Sequence, residues 1–357
     1  MCLARRCGQC KEIALIQDRM HNRKMKAAII NSFGNSDVLK IENEFPIPEP
    51  KQNQVLVRVI ATSVNPLDWK TRKGELKSVL GSKFPMIIGN DISGIVVKCG
   101  KEVTDLKEGD YVYGMADTNE KPSWFGFAAT GSYAEFICTR ADTLTIKPNN
   151  ISFEEAATIP LCGLTAYQAL VKKLKIKEGD NILINGASGG VGVLAVQISK
   201  AVGANITAIA AERNKELLLD LGADYFYDYK KTLIIDLDKK FDIIYDVVAN
   251  SSYKKTKHLL SKDGIYLSNI PNPIAAIIPC LRTSKRIKKK TFAWVTPNGK
   301  DLFEISKMIE LGEIKAVIDK IYPLNEIKEA HEKSEKGKVT GKISIRISNE
   351  TTAHNNV

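Results

Sequence analysis

Residues 181–192 read NILINGASGGVG, and this stretch decides the fold. An apolar β-type run leads directly into a glycine-packed turn, and the next segment, VLAVQISKAVG, has helical spacing. A strand, a tight turn and a helix in this order are the context that a dinucleotide-binding fingerprint requires. Because the six-residue pattern would start at an alanine, the chain carries an A-x-G-x-x-G variant, whose candidate cofactor-binding residues are Ala187, Ser188, Gly189, Gly190, Val191 and Gly192.

The three glycines of this variant have different expected roles. Gly189 can take a backbone conformation closed to other residues, and Gly190 keeps the surface bare beside a phosphate. Gly192 lets the helix pack closely on the strand, and the helix N-terminus offers free N–H groups and a partial positive charge to a pyrophosphate. A glycine turn before a helix is often plain architecture, so the rest of the chain has to support this prediction.

Further strands and helices alternate along residues 180–269. The strand-like segments NITAIAA, YFYDY, FDIIYDVV and GIYLSN are interleaved with the helical segments RNKELLLDLG and SYKKTKHLLS. Apolar β-branched runs alternating with amphipathic helices predict a parallel sheet with helices on both faces. The predicted fold class is therefore α/β, with a doubly wound Rossmann domain.

The segments before this region have the pattern of a β-rich domain. MKAAIINSFG and QVLVRVIATSVN read as alternating strands, and GNDISGIVVKCG, EGDYVYGM and GSYAEFICT add shorter ones. A chain of 357 residues is long enough to bury two cores. The predicted division is a flexible extension at 1–24, the β-rich catalytic domain at 25–148, the Rossmann domain at 149–296, a return to the first domain at 297–348 and a polar tail at 349–357.

The composition is that of an ordinary globular protein, with 44% hydrophobic and 26% charged residues. The nearest approach to a membrane span, residues 270–281, is broken by three prolines. Seven cysteines are scattered without a disulfide-like framework or a secretory signal, which favours a cytoplasmic location. Cys7 and Cys10 form a C-x-x-C pair, but no second pair or histidine doublet completes a metal site.

The net charge of +11 raises the question of an anionic partner. Much of the excess lies in short lysine clusters, which we interpret as solvated helix faces and loops rather than a nucleic-acid footprint. One segment, Ile274–Lys290, places an apolar turn beside a run of basic residues. It could lie on an anionic lipid surface, although a helix that connects the two lobes is the favoured interpretation.

Nine stretches, in order from Met25 to Ile347, resemble the zinc-independent medium-chain dehydrogenases/reductases of the quinone oxidoreductase and alkenal (enone) reductase type. The resemblance implies a GroES-like catalytic domain, a Rossmann domain and NAD(P)H bound in the cleft between them. It also implies homodimers that pair Rossmann sheets edge to edge, here through Tyr266–Asn269 and Phe292–Val295. The nine stretches are MKAAIINSFG, VLVRVIATSVNPLDWK, FPMIIGNDISGIV, EGDYVYGM, GSYAEF, FEEAATIPLCGLTAYQAL, NGASGGVG, LGADYFYDY and VTGKISIRI.

The same resemblance predicts that no metal is bound. Zinc-dependent alcohol dehydrogenases of this superfamily use a cysteine after the long strand, a histidine in a G-H-E motif and a later cysteine. Here the first place falls in Ser63–Asn65, and the second reads Gly89, Asn90 and Asp91. Cys162 occupies the third place, but one thiolate does not make a tetrahedral site, and a buried packing role is favoured.

Without zinc, carbonyl reduction lacks its Lewis acid, and the feasible acceptor is a small lipophilic quinone or enone that spreads the charge itself. Asn65 resembles the family asparagine near the nicotinamide, where its amide could bond a cofactor or substrate oxygen. Asp68, Lys70 and Tyr133 are candidate pocket residues for proton transfer. Alternatively Asp68 caps a helix, Tyr133 only packs, and water supplies the proton.

The end of the second Rossmann strand predicts NADPH as the cofactor. Ala211 stands where NAD enzymes carry an acid, and Arg213 is well placed for a 2′-phosphate. By resemblance, Asn214 belongs to the same segment, and Tyr229 contacts the same phosphate. Glu212 could instead serve as the ribose acid. Two further positions resemble cofactor-contacting ones, Thr165 in GLTAY and Lys342 in GKI.

The sequence thus predicts a metal-free, NADPH-dependent reductase that transfers hydride to a quinone or to the C=C bond of an α,β-unsaturated carbonyl. We expect a cytoplasmic homodimer without a nucleic-acid partner. The alternative is a protein of the same fold that binds NADPH and works through a membrane or RNA partner, with little catalytic activity. Ile274–Lys290 would then be the contact surface.

Overall fold

The computed structural model describes residues 23–119, 131–269 and 289–348. Most of the predicted N-terminal extension, including Cys7 and Cys10, lies outside these residues, as does the predicted tail. The candidate membrane segment Ile274–Lys290 also lies outside them, except for its last two lysines. Within the described ranges, no helix is both long and apolar enough to cross a membrane.

The first lobe is the β-rich domain of the sequence analysis, and it is built on β3 (Gln54–Val64), an eleven-residue strand whose residues are all buried. It lies between β5 on one side and β16 on the other, and β7 pairs with part of it. A separate three-stranded sheet has the order β2-β1-β4. The strands of this part of the chain are β1 (Lys24–Ile30), β2 (Leu39–Pro46), β3 (Gln54–Val64), β4 (Met86–Ile87), β5 (Asp91–Cys99), β6 (Tyr111–Met115), β7 (Phe136–Arg140) and β8 (Leu144–Ile146), and β16 follows near the C-terminus (Lys342–Arg346).

The Rossmann lobe is a six-stranded sheet in the order β11-β10-β9-β12-β13-β14, and every pair in it is parallel. The predicted doubly wound α/β fold is confirmed. The predicted helix SYKKTKHLLS is shorter than expected, because only its first turn is α-helical and a 3-10 turn follows. The strands are β9 (Asn181–Asn185), β10 (Asn205–Ala210), β11 (Tyr225–Asp228), β12 (Phe241–Asp246), β13 (Leu260–Asn269) and β14 (Lys290–Ala293).

The strand order reverses at β9, which lies between β10 and β12. The connections that follow β9 and β12 therefore leave toward opposite faces of the sheet, and a crevice opens between them at the carboxyl ends of the strands. This geometry places the glycine turn after β9 at the floor of the crevice. A ligand bound there would contact the loops that follow β9, β10 and β12.

The helices connect and cover the two lobes. A buried apolar cluster combines Tyr113 of β6 with Ile184 of β9 and Ile305, so the lobes share part of one core. A six-residue π-helical stretch, Gln168–Lys173, extends α4. The α-helices are α1 (Pro66–Arg72), α2 (Lys77–Leu80), α3 (Phe153–Ala156), α4 (Pro160–Tyr167), α5 (Gly190–Ala201), α6 (Lys215–Asp220), α7 (Tyr253–Thr256), α8 (Gly299–Glu310) and α9 (Ile327–Glu335).

The chain returns to the first lobe after α8. Strand β15 (Ile318–Pro323) pairs in parallel with β16, and β16 pairs antiparallel with β3. Helix α9 lies between these two strands in sequence and packs on the first lobe through Ile327 and Ala330. The first residue of β16, Lys342, is thereby carried from the far end of the chain to the end of β3.

Candidate cofactor and acceptor site

The turn after β9 takes its left-handed residue from Gly186, whose φ is +83°. The prediction that Gly189 has this conformation is wrong, because Gly189 is extended, with φ −80° and ψ 172°. A Cβ at Gly186 would also lie 2.3 Å from Cγ2 of Val248. Gly186 is therefore the residue of the turn that tolerates no side chain for both conformational and steric reasons.

Gly190 and Gly192 are required by close packing. A Cβ at Gly192 would lie 2.2 Å from the carbonyl oxygen of Gly186, so the helix could not start so close to the strand. A Cβ at Gly190 would lie 2.7 Å from Cδ of Lys342 and 2.9 Å from Sγ of Cys162. The bare surface of Gly190 thus accommodates first-lobe and α4 side chains, where the sequence suggested a phosphate.

A cleft of about 830 Å³ lies over this turn. Five predicted cofactor residues line it: Ser188, Gly189, Arg213, Asn214 and Tyr229. The cleft is also lined by Ser251, whose buried hydroxyl has no hydrogen-bond partner among the described residues. Since an unsatisfied buried hydroxyl is costly, a polar ligand is expected to complete this wall. The size, the helix N-terminus and the basic side chains of the cleft fit a dinucleotide.

Arg213 and Asn214 connect the cleft to the segment before β16. Arg213 Nη2 donates to the Lys338 carbonyl oxygen over 3.2 Å, and the Thr340 hydroxyl donates to Asn214 Oδ1 over 2.9 Å. Glu212, the alternative ribose ligand, instead pairs with Lys231 at 2.8 Å. The Arg213 guanidinium, at this end of the cleft, is therefore held in place by the first lobe.

A second pocket, of about 420 Å³, adjoins the cleft at Val248, which lines both. We call this second cavity the acceptor pocket. Most of its wall is apolar, with Leu67, Leu161 and Val295 among the lining residues. Three predicted site residues line it, namely Lys70, Thr165 and Val191. The Thr165 hydroxyl donates a hydrogen bond to the Leu161 carbonyl oxygen at 2.6 Å. Ala187 is buried in the turn and lines neither cavity.

Asp91 is the centre of a buried polar cluster behind this pocket. Its Oδ2 accepts hydrogen bonds from the Ser63 hydroxyl at 2.6 Å and from Asn65 Nδ2 at 2.8 Å. Its Oδ1 accepts the Leu161 backbone N–H at 2.7 Å. Lys342 Nζ lies 3.4 Å from Oδ2 and donates to Asn65 Oδ1. Both ends of the Asn65 amide are thus engaged, which fixes its orientation.

Asp68 and Tyr133 belong to a neighbouring buried group. The Asp68 carboxylate accepts the Asn65 backbone N–H at 2.7 Å, which caps α1, and the Tyr133 hydroxyl at 2.9 Å. Asn90 Nδ2 donates to its other oxygen. Burial raises the pKa of Asp68 to about 6, and burial also raises the pKa of Tyr133. Neither side chain lines the acceptor pocket.

His331 and Arg72 continue this group toward the surface. His331 Nε2 lies 3.1 Å from the Tyr133 hydroxyl, and its Nδ1 lies 3.2 Å from Arg72 Nη1. Arg72 is a donor only, so Nδ1 accepts and Nε2 carries the proton. Burial, and then the charge of Arg72, lower the His331 pKa to about 3. Arg72 itself forms an ion pair with Glu335.

The structure therefore separates the four predicted catalytic residues. Lys70 lines the acceptor pocket, whereas Asn65, Asp68 and Tyr133 are fully buried in the hydrogen-bonded groups behind it. Sequence reasoning assigned no site role to Asp91, His331, Asn269 or Ser251. An acid inside the apolar run MIIGNDISGIV was the available signal for Asp91. The other three had no local signal.

Cys162 lies beside this cluster, with its Sγ 3.8 Å from Asn65 Oδ1. Burial raises the pKa of this thiol to about 11, so it stays protonated. Among the described residues, no group of three or more His, Cys, Asp and Glu side chains could hold a metal ion.

Comparison with known proteins identifies the family. A profile described as "Alcohol dehydrogenase GroES-like domain" matches residues 51–149, and one described as "Zinc-binding dehydrogenase" matches residues 221–345. A 2-methylene-furan-3-one reductase of Solanum lycopersicum is 37% identical over 90% of this chain and 79% of its own length. The chain belongs to the medium-chain dehydrogenase/reductase family. Within this family it groups with the quinone oxidoreductases and alkenal reductases.

Two further comparisons support this place in the family. The chloroplastic NADPH-dependent alkenal/one oxidoreductase of Arabidopsis thaliana is 35% identical over 90% of this chain and 80% of its own length. The solved structure of a quinone oxidoreductase from Coxiella burnetii superposes with a TM-score of 0.78, at 31% identity, over 91% of this chain and 99% of its own. This medium-chain dehydrogenase/reductase thus shares both sequence and fold with enzymes named for quinone or enone chemistry.

Proposed function

We propose that the chain is an NADPH-dependent reductase of quinones or of the C=C bond of α,β-unsaturated carbonyls. The observation that carries this function is the junction at Val248, where a dinucleotide-sized cleft meets an apolar pocket. A cofactor that lies along the cleft would present its reactive end to the pocket. The names of the relatives, an alkenal/one oxidoreductase and a quinone oxidoreductase, support the same acceptors.

Different residues of the chain would bind the cofactor and the acceptor. The N-terminus of α5 and the turn around Ser188 would hold the pyrophosphate, and Arg213 with Tyr229 would hold the 2′-phosphate. The cofactor, when bound, supplies the hydride. The apolar pocket would orient a lipophilic acceptor and exclude water from it. Behind it, Asp91 holds the Asn65 side chain, and Asp68 caps the start of α1.

A panel of acceptors tests this function. Purified protein would be mixed with NADPH or NADH and with crotonaldehyde, methyl vinyl ketone, menadione or a saturated aldehyde. We expect oxidation of NADPH with the enal, the enone or the quinone, and none with the saturated aldehyde. Turnover of the saturated aldehyde alone, or NADPH oxidation with none of these compounds, would contradict the proposal.

The cofactor preference should depend on Arg213. In Arg213→Gln, we expect the preference for NADPH over NADH to fall roughly 10- to 100-fold, because hydrogen bonds to charged groups contribute about 1.5–3 kcal/mol. The Kd values of NADPH and NADH, measured by fluorescence titration, give this ratio directly. Glu212→Gln is the matched control, since Glu212 pairs with Lys231. An unchanged ratio in Arg213→Gln would show that another residue reads the phosphate.

We also propose a homodimer that pairs Rossmann sheets edge to edge through β14, the edge strand of this sheet. The predicted edge at Tyr266–Asn269 is wrong, because this segment belongs to β13, which pairs with β12 on one side and β14 on the other. Sedimentation of the purified protein tests the proposal. A cytoplasmic location and a peripheral membrane contact through 274–290 remain proposals from the sequence. Relatives of this chain include a chloroplastic protein of Arabidopsis thaliana and a mitochondrial NAD(P)H oxidoreductase of Bos taurus.

A further inference from the structure

The acceptor pocket has few groups that could bind an acceptor oxygen. Among the side chains that line it, N–H or O–H donors are carried by Lys70, Thr165, Asn269 and Trp294. Thr165 already donates its single proton to Leu161. Lys70 and Trp294 each interact with other groups of the protein. The fourth, Asn269, lies at the carboxyl end of β13, at the edge of the sheet where the crevice opens.

Asn269 is held in one orientation by two neighbours. Its Nδ2 donates to the Val247 carbonyl oxygen over 2.9 Å, and because a carbonyl only accepts, this bond fixes which end of the amide is NH₂. Its Oδ1 accepts the Tyr245 hydroxyl at 2.9 Å. Tyr245 is fully buried, so this partner is rigid. The side chain therefore presents a fixed geometry to the pocket.

One hydrogen of this amide has no acceptor among the described residues. An amide NH₂ carries two hydrogens, and Val247 accepts one of them. The part of the chain that the structure describes offers no second acceptor to Nδ2. Asn269 is half-buried and lines the pocket, so its amide borders the space that a bound molecule would fill.

We propose that Asn269 is a catalytic residue. Its second amide N–H donates a hydrogen bond to the oxygen of the acceptor, where negative charge develops. This inference rests on the proposed function. In the reaction, hydride from NADPH forms a new C–H bond at the β-carbon of the enone. The C=C electron pair moves toward the carbonyl, giving an enolate oxygen and NADP⁺, and a proton from water then completes the saturated carbonyl. An N–H aimed at the enolate oxygen stabilises the transition state more than the ground state.

The acceptor determines how much this bond contributes. An enal concentrates the developing charge on a single oxygen, whereas a quinone spreads it over an aromatic ring. Loss of the N–H should therefore slow enal reduction more than quinone reduction. A purely structural role of Asn269, through Val247 and Tyr245, would slow both acceptors by the same factor.

Asn269→Leu keeps the size of the side chain and removes the N–H. We expect kcat with crotonaldehyde to fall roughly 100-fold, as for loss of one oxyanion donor, and kcat with menadione to fall less than about 10-fold. The KM of each acceptor and the Kd of NADPH should change little. Equal losses with the two acceptors, or a loss confined to NADPH binding, would overturn the inference.

A binding measurement separates this inference from the proposed function. With NADP⁺ present, p-nitrophenolate carries an oxyanion into the pocket, and p-nitrotoluene has nearly the same shape without it. We expect p-nitrophenolate to bind wild type roughly 10-fold more tightly than Asn269→Leu, and p-nitrotoluene to bind both equally. Equal binding of p-nitrophenolate to both proteins would refute the role of Asn269 even if wild type reduces enones. If no acceptor is reduced, the proposed function fails on its own, while the binding result still decides the role of the N–H.

Tyr245→Phe provides the matched control. It removes the hydroxyl that binds Asn269 Oδ1 and leaves the bond from Nδ2 to Val247 intact. The amide should keep its orientation, so the ratio of the crotonaldehyde and menadione rates should stay within about threefold of wild type. A Tyr245→Phe ratio as low as that of Asn269→Leu would indicate that packing at this end of β13, rather than the N–H, sets the rates.

Discussion

Lys342→Met should lower the free energy of unfolding by roughly 3–5 kcal/mol, the usual effect of removing one partner of a buried ion pair. Lys342 is 5% exposed and Asp91 is fully buried, with Nζ 3.4 Å from Oδ2. Methionine fills similar space but leaves the Asp91 carboxylate with neutral donors only. Urea denaturation at neutral pH measures the loss.

The same substitution should reduce turnover. Lys342 Nζ donates to Asn65 Oδ1 and to the Val64 carbonyl oxygen, at the junction of β3 and α1. Without it, the Asn65 amide keeps its bond to Asp91 and, at Oδ1, a weak contact with the Cys162 thiol, so its orientation is less firmly fixed. We therefore expect the activity of the folded fraction to fall as well.

A double variant is the decisive control. In Asp91→Asn combined with Lys342→Met both charges are absent, and the Asn65 amide can turn its oxygen toward the new amide. We expect the double variant to be more stable than the sum of the two single losses by about 1–3 kcal/mol. Additive losses would mean that the two charges do not interact.

The contrast between the Rossmann sheet and this cluster explains what sequence could predict. The six parallel strands follow from local runs such as NILIN and NITAIA, whose apolar residues and following turns specify strands without reference to distant parts of the chain. Asp91 and Lys342 are 251 positions apart, and Arg72 and His331 are 259 apart. No local pattern relates such pairs, because only the return of β16 and α9 to the first lobe brings them together.

The glycine turn shows a limit of motif reading within a correct fold. The six-residue pattern assigned the special backbone to Gly189, but β9 ends at Asn185, and the chain reverses at the next residue. The left-handed conformation is needed where the strand ends, and this is at Gly186. The pattern thus identified the site, whereas the division of roles depended on where β9 stopped.

The remaining large effect concerns His331 and Asp68, whose pKa shifts act on stability in opposite directions. The pKa of His331 falls from 6.5 to about 3 on folding, because of burial and the charge of Arg72. Between these two pKa values, His331 is protonated in the unfolded chain and neutral in the folded chain. The free energy of unfolding therefore decreases as the pH falls below 6.5. The full effect corresponds to about 5 kcal/mol.

Asp68 behaves in the opposite way. Its pKa rises from 3.8 to about 6 on folding, chiefly because of burial. The folded chain binds this proton first, so the contribution of Asp68 to stability is complete below pH 3.8 and is lost as the pH rises through 6. The full effect corresponds to about 3 kcal/mol. In wild type the two groups should nearly cancel between pH 6 and pH 4.

Single variants should reveal the two components separately. Relative to wild type, the unfolding free energy of Asp68→Asn should fall by about 1.4 kcal/mol per pH unit as the pH drops from 6 to 4. That of His331→Gln should rise with a similar slope over the same interval. Three groups act on the imidazole: the Arg72 charge opposes its protonation, the Glu335 carboxylate favours it, and the Tyr133 hydroxyl lies between it and Asp68. Urea denaturation at several pH values measures both slopes. Slopes of the same sign would mean that the imidazole and the carboxyl exchange a proton through the Tyr133 hydroxyl instead of titrating separately, and the buried group would then act as one acid.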